Sequence, residues 1–318
     1  MEKLSNKISE TFIPVDDEGA ERREVAEQPV IIYRPKGRKV VALTFVVTAA
    51  NMPISKYTSI ITALTSVDHA VVGIYISAIT LNRNAHRIKA EAIPQIFEAL
   101  KSEFRVNKYD IVGHSVGGKI ALLTAALFDS EENQIRSIIA LDPVDKNPVE
   151  FTNDLLKQAM LGGSKAQDNG PKKTNLSLAS SKADITLTFT DCGGIVGKHN
   201  AREIQKKNPT LKLVLHRNAG HMVYCDDGGV LSWKALMGRG ESADRNDAVK
   251  AEALLLIKEK AMKATISGSA SGKASSVMAK AKKEWKSAKA DLKELGDDAQ
   301  KKGNAVAGAA KFTSMFKL

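Results

Sequence analysis

The stretch that decides the fold is Gly113-His114-Ser115-Val116-Gly117-Gly118. It follows a short segment over 108–112 that predicts a strand, and it precedes an apolar segment over 119–128 with helical spacing. A serine between glycines at such a junction is typical of a nucleophile elbow, where the glycines let the backbone pass close to the following helix. The bare pentapeptide is common in proteins, so its position between a strand and a helix carries the prediction.

Strand and helix patterns alternate on both sides of this motif. β-Branched segments predict strands over 30–33, 40–47, 69–76, 108–112, 135–141, 184–189 and 211–215, and helical spacing predicts helices over 56–65, 87–104, 119–128 and 244–263. Such alternation favours a mostly parallel sheet with helices on both faces. Together with the serine elbow, it predicts an α/β-hydrolase fold over residues 30–263.

Three regions fall outside the alternation. Residues 1–29 are polar and acidic without a sustained period, and we interpret them as an N-terminal arm. Residues 146–181 are long, polar and interrupted by glycine and proline, which predicts a lid or insertion over the carboxyl end of the sheet. Residues 264–318 are rich in lysine and alanine, which predicts a helical or disordered C-terminal extension.

The positive charge of the chain is concentrated in this tail. The formal net charge is +11, and residues 261–318 contain 12 lysines against 5 acidic residues, or +7, which leaves +4 for the other 260 residues. A nucleic-acid partner is therefore not expected. The tail instead predicts association with a membrane surface or a partner complex, with a solvated basic tail as the alternative.

The sequence shows neither a membrane span nor a disulfide framework. No apolar run reaches the roughly 18 residues that a spanning helix needs. The first residues lack the basic-then-apolar layout of a secretory signal. The two cysteines, Cys192 and Cys225, form no metal-ligand pattern, which weakly indicates an intracellular or organellar setting.

A nucleophilic serine requires a histidine base and an acid that orients it. His221 lies at loop distance after the last predicted strand, whereas His199 and His216 are weaker candidates. Two aspartates follow successive predicted strands, Asp142 after 135–141 and Asp191 after 184–189. Both strand ends lead to the same crevice of a doubly wound sheet, so spacing favours Asp142 but leaves Asp191 open.

Three segments together resemble the chlorophyllases, esterases that remove the phytyl chain of chlorophyll. They are 113–118, the segment Ala140-Leu141-Asp142-Pro143-Val144 and the segment over 220–227. The resemblance covers about residues 30–260 and implies Ser115, Asp142 and His221 as the triad. It also implies a plastid setting, and the chemistry needs no metal or organic cofactor.

The chain departs from that family at two positions. Val116 replaces the arginine that usually follows the serine, and aligning on Tyr57 places Thr48-Ala49 where the family has His-Gly. The resemblance therefore implies an oxyanion hole made by the backbone N–H groups of Val116 and Ala49. Loss of one such donor would cost about 10²- to 10³-fold in rate.

These patterns allow three hypotheses. The first is a serine esterase for a large apolar ester, with chlorophyll as the implied substrate. The second keeps the reaction but assumes a lipid or generic carboxylic ester, because a fold does not determine a substrate. The third is a non-catalytic scaffold that binds a pigment complex or a membrane through the basic tail.

Overall fold

The computed structural model describes residues 19–77, 85–128, 134–144, 178, 181–191, 200–226, 240 and 243–268. The predicted arm up to residue 18 and the tail after residue 268 lie outside these ranges. So does the predicted insertion over 146–181, except for Leu178 and Ser181.

The described residues form one eight-stranded sheet. Its strands are β1 Ala20–Val25, β2 Gln28–Tyr33, β3 Ala42–Ala50, β4 His69–Ile76, β5 Tyr109–His114, β6 Ile135–Leu141, β7 Asp184–Thr190 and β8 Lys212–His216. They are ordered β1-β2-β4-β3-β5-β6-β7-β8 across the sheet. Strands β3 to β8 pair in parallel, whereas β2 pairs antiparallel with both β1 and β4. This confirms the predicted mostly parallel sheet.

Helices connect the parallel strands. They are α1 Thr58–Thr65, α2 Ala85–Phe104, α3 Val116–Phe128, α4 Asn200–Lys207 and α5 Ala243–Gly268, with 3-10 turns at Ile54–Tyr57 and His221–Tyr224. Among the described helices, none combines the length and the hydrophobicity that crossing a membrane requires.

The helices pack on both faces of the sheet, as predicted. One apolar cluster joins the sheet to α2, α3 and α4, through residues such as Ile93, Ile120 and Ile204. A second cluster joins the opposite face to α1 and α5, through residues such as Ile60 and Ile257. The strands are buried on both faces because each face is covered, which explains their continuous apolar runs.

The described structure extends beyond both ends of the predicted 30–263 domain. Part of the predicted arm over 1–29 belongs to the sheet, because β1 and the start of β2 form an antiparallel edge hairpin. Its charged residues are compatible with an edge strand, and Arg23 pairs there with Glu103 of α2 at 2.7 Å. At the other end α5 continues past the predicted boundary at Lys263 to Gly268.

The parallel topology brings the carboxyl ends of six strands to one edge of the sheet. The ends of β3, β4, β5, β6, β7 and β8 are Ala50, Ile76, His114, Leu141, Thr190 and His216. Binding and catalytic residues of open α/β sheets are held at this edge. The predicted serine, aspartate and histidine all follow these strand ends.

Candidate active site

Ser115 stands on a strained turn between β5 and α3. Its φ is +59°, a left-handed conformation that a residue with a Cβ rarely adopts. Its N–H donates to the Leu141 carbonyl at 2.9 Å, and its carbonyl accepts the N–H groups of Lys119 at 3.2 Å and Val144 at 3.1 Å. These bonds hold the turn against the end of β6 and keep Ser115 in its left-handed conformation.

Glycines make this turn possible because there is no room for side chains. A Cβ at position 113 would lie 2.3 Å from the Gly117 carbonyl oxygen. A Cβ at position 117 would lie 2.2 Å from the Val47 carbonyl oxygen and 2.5 Å from that of Thr48. The elbow therefore packs directly on the end of β3, as the motif predicts.

Asp142 follows β6 and also has a left-handed backbone, with φ +43°. Its N–H donates to the Thr188 carbonyl at 3.0 Å. Its Oδ2 atom accepts the Thr190 hydroxyl at 2.6 Å and lies 2.7 Å from Nδ1 of His221. The carboxylate is thus oriented by β7 from one side and bonded to the histidine on the other.

His221 has the tautomer that a general base needs. A carboxylate only accepts hydrogen bonds, so Nδ1 carries a proton, and a neutral imidazole in this tautomer has its lone pair on Nε2. The side chain is 1% exposed, and Nε2 has no hydrogen-bond partner among the described residues. An unpaired buried acceptor is costly, which indicates a functional role for this nitrogen. Ser115, at 6% exposed, lies at the same edge of the sheet.

The 3-10 turn His221–Tyr224 is anchored on its carboxyl side. The Tyr224 hydroxyl accepts the Thr188 hydroxyl at 2.9 Å and lies 2.8 Å from Nδ1 of His216. Just beyond the turn, the Asp226 carboxylate accepts the N–H of Ser59 at 2.8 Å and pairs with Lys250. The turn is therefore tied to β7, α1 and α5.

The alternative acid and base have other roles in the structure. Oδ1 of Asp191 accepts the N–H of Asn218 at 2.5 Å and so supports the turn before His221. Burial lowers the pKa of His216 to about 4, and its Nδ1 is bonded to Tyr224. His199 lies outside the described residues. Of the two candidate acids, Asp142 is the one hydrogen-bonded to His221.

The two predicted oxyanion donors differ in their surroundings. Val116 is the first residue of α3, where backbone N–H groups have no acceptor within the helix. The N–H of Ala49 already donates to the Tyr57 hydroxyl at 2.9 Å. Ala49 could bind an oxyanion only by exchanging this bond, so its role remains a prediction.

Sequence reasoning missed three residues of this region. Thr190 orients Asp142, and Tyr57 and His114 form a buried chain of hydrogen bonds behind His221. The sequence placed His114 beside the serine but indicated no partner for it. In the described part of the chain, no group of three or more His, Cys, Asp or Glu side chains could hold a metal ion.

Comparison with known proteins supports the fold. The model of the PGAP1-like alpha/beta domain family matches residues 66–187, which include Ser115 and Asp142. No curated protein matches the sequence. The chain has an α/β-hydrolase fold.

Several solved esterases are similar to this chain at low sequence identity. Est1E from Butyrivibrio proteoclasticus has 15% identity and a TM-score of 0.49, covering 77% of this chain and 98% of that chain. An arylesterase structure has 14% identity and a TM-score of 0.49, covering 82% and 91%. Naproxen esterase from Bacillus subtilis has 14% identity and a TM-score of 0.43, covering 69% and 90%.

Proposed function

We propose that this chain is a serine hydrolase of carboxylic esters, with Ser115 as nucleophile, His221 as base and Asp142 as orienting acid. The observation that carries the proposal is the 2.7 Å contact between Asp142 Oδ2 and His221 Nδ1, at the same edge of the sheet as a serine held at φ +59°. The lone pair on His221 Nε2 is then available for a serine proton.

The reaction follows from these protonation states. Ser115 Oγ attacks the ester carbonyl carbon while its proton passes to His221 Nε2, and the resulting imidazolium is stabilised by Asp142. The tetrahedral oxyanion is bound by the N–H of Val116, with the N–H of Ala49 as the second donor once Tyr57 releases it. Collapse of the intermediate expels the alcohol, which takes the proton from His221 and leaves an acyl-enzyme. Water then repeats these steps to release the acid.

The proposed substrate is a large apolar ester. The phytyl ester of chlorophyll is the first candidate, because the segments around Ser115, Asp142 and His221 resemble those of chlorophyllases. The products would be chlorophyllide and phytol, and the setting would be the plastid. A lipid or generic carboxylic ester is the alternative, because the fold does not determine the substrate and no described residue specifies the alcohol group of the ester.

One observation favours a non-catalytic scaffold as a second candidate function. The N–H of Ala49 is engaged by Tyr57, so the second oxyanion donor is not directed at a substrate in this conformation. Such a scaffold would bind a pigment–protein complex or an anionic membrane surface through the lysine-rich tail over 264–318.

A fluorophosphonate probe tests the proposal directly. We expect covalent labelling of the native chain and none of Ser115→Ala, because the probe reacts with an activated serine. Incubation with chlorophyll and with a short acyl ester, such as p-nitrophenyl butyrate, then separates the substrate classes. A folded native chain that is neither labelled nor hydrolytic would refute the enzyme hypothesis and favour the scaffold.

A further inference from the structure

We propose that His114 and Tyr57 are positioning residues that hold the backbone of His221 in place. This inference rests on the proposed hydrolase function. It concerns a chain of buried hydrogen bonds that runs from the N–H of Ala49 through Tyr57 and His114 to the carbonyl of His221.

The direction of every bond in this chain can be assigned. Nε2 of His114 lies 3.0 Å from the His221 carbonyl oxygen, which only accepts, so Nε2 carries the proton. Nδ1 of the neutral ring is then an acceptor, and the Tyr57 hydroxyl donates to it at 2.9 Å. The same hydroxyl accepts the N–H of Ala49. Each of these groups has a partner of the correct polarity.

The surroundings keep His114 in this neutral form. Burial lowers the pKa of its imidazole well below the ordinary value, and the neighbouring His221 lowers it further. The Cys225 thiol lies 3.6 Å from Nδ1, and burial raises its pKa to about 12, so it stays protonated. The Tyr57 hydroxyl also stays protonated, since burial raises its pKa. A fixed charge state allows the bonds from Tyr57 through His114 to the His221 carbonyl to act as a rigid brace.

This brace fixes the main chain of His221, while Asp142 fixes its side chain. The Asp142 carboxylate is bonded to the imidazole of His221, and the His114 imidazole is bonded to the main-chain carbonyl of His221. The two imidazole rings lie 4.8 Å apart, and the Tyr224 ring packs edge-on against His114 at 5.3 Å. A displacement of about 1 Å in such a constellation can reduce the rate about 10²-fold.

His69 provides a matched control in the same chain. It is fully buried, its Nδ1 lies 2.7 Å from the Thr44 hydroxyl, and its Nε2 lies 3.2 Å from the Ala261 carbonyl. This repeats the bonding of His114, a hydroxyl at Nδ1 and a carbonyl at Nε2. However, His69 begins β4 at the amino edge of the sheet, away from Ser115. Replacement of either histidine should disturb packing to a similar degree.

The experiment compares His114→Gln with His69→Gln in the full chain. For each folded variant, kcat, KM and the pH dependence of kcat/KM are measured with p-nitrophenyl butyrate, together with the rate of fluorophosphonate labelling. We expect His114→Gln to lower kcat by about 10- to 100-fold with little change in KM. His69→Gln should keep the native kcat and pH profile.

Tyr57→Phe tests the chain without altering either histidine. Removing the hydroxyl leaves the His114 Nδ1 without its donor, so His114 should be held less firmly against the His221 carbonyl and kcat should fall in this variant as well. Equal kinetics of His114→Gln and His69→Gln in a labelled, active chain would overturn the inference and leave the hydrolase function intact. A faster Tyr57→Phe enzyme would also overturn it, since the hydroxyl would then block Ala49. An unlabelled native chain would refute both proposals.

Discussion

Gly117→Ala tests whether the elbow must touch the end of β3. The added Cβ would lie 2.2 Å from the Val47 carbonyl oxygen, roughly 1.2 Å inside the ordinary contact distance of 3.4 Å, and 2.5 Å from the Thr48 carbonyl oxygen. Both obstacles are backbone atoms, so neither can rotate away. The elbow must therefore shift by about 1 Å relative to β3, which we expect to reduce the rate about 10²-fold. Overpacking should also lower the free energy of unfolding by about 1–3 kcal/mol.

Gly118→Ala is the matched control for this prediction. A Cβ at position 118 would lie 3.1 Å from the Gly113 carbonyl oxygen and from the Pro143 Cβ, which requires a shift of only a few tenths of an ångström. The assay is hydrolysis of p-nitrophenyl butyrate by both variants, with urea unfolding to compare their stability. A Gly117→Ala enzyme as active as Gly118→Ala would refute the assigned contact between the elbow and β3.

Three further predictions follow from the contacts of the site. Asp142→Asn should reduce kcat by on the order of 10⁴-fold. Only one of the two terminal atoms of an amide accepts hydrogen bonds, so the amide favours the wrong tautomer of His221. Retention of most of the activity would contradict Asp142 as the acid. Asp191→Asn should change kcat far less in the same ester assay, because the amide oxygen can still accept the N–H of Asn218; a loss as large as that of Asp142→Asn would reopen the choice of acid. The folded chain should also lose stability between pH 6.5 and pH 4. Burial lowers the pKa of His69 to about 4, so the unfolded state binds its proton first as the pH falls. Between pH 7 and pH 5 the protonation of His69 in the unfolded state should lower the free energy of unfolding by about 2 kcal/mol. Urea unfolding at both pH values should show that His69→Gln loses about 2 kcal/mol less stability than the native chain between pH 7 and pH 5. The same pH dependence in the variant and the native chain would contradict this prediction.

Much of the architecture follows from local sequence patterns. The strand from His69 to Ile76 and the strand from Ile135 to Leu141 have the predicted bounds, because a parallel sheet covered on both faces leaves continuous apolar runs. The elbow is equally local, since its glycines, its serine and the adjoining strand and helix are contiguous in the chain. The edge hairpin from Ala20 was missed because its run of four consecutive charged residues resembles a polar arm.

The partners of the site residues depend on the tertiary structure. Spacing favours Asp142 but leaves Asp191 open, and only the packing of β6, β7 and the following turns directs Asp142 to His221 and Asp191 to Asn218. The same holds for the Tyr57 hydroxyl on the Ala49 N–H and for His114 behind His221. Asp142 and His221 are 79 positions apart, and His114 and His221 are 107 apart. Local propensity specifies strands, helices and turns, but contacts over such separations arise only when the whole sheet has assembled.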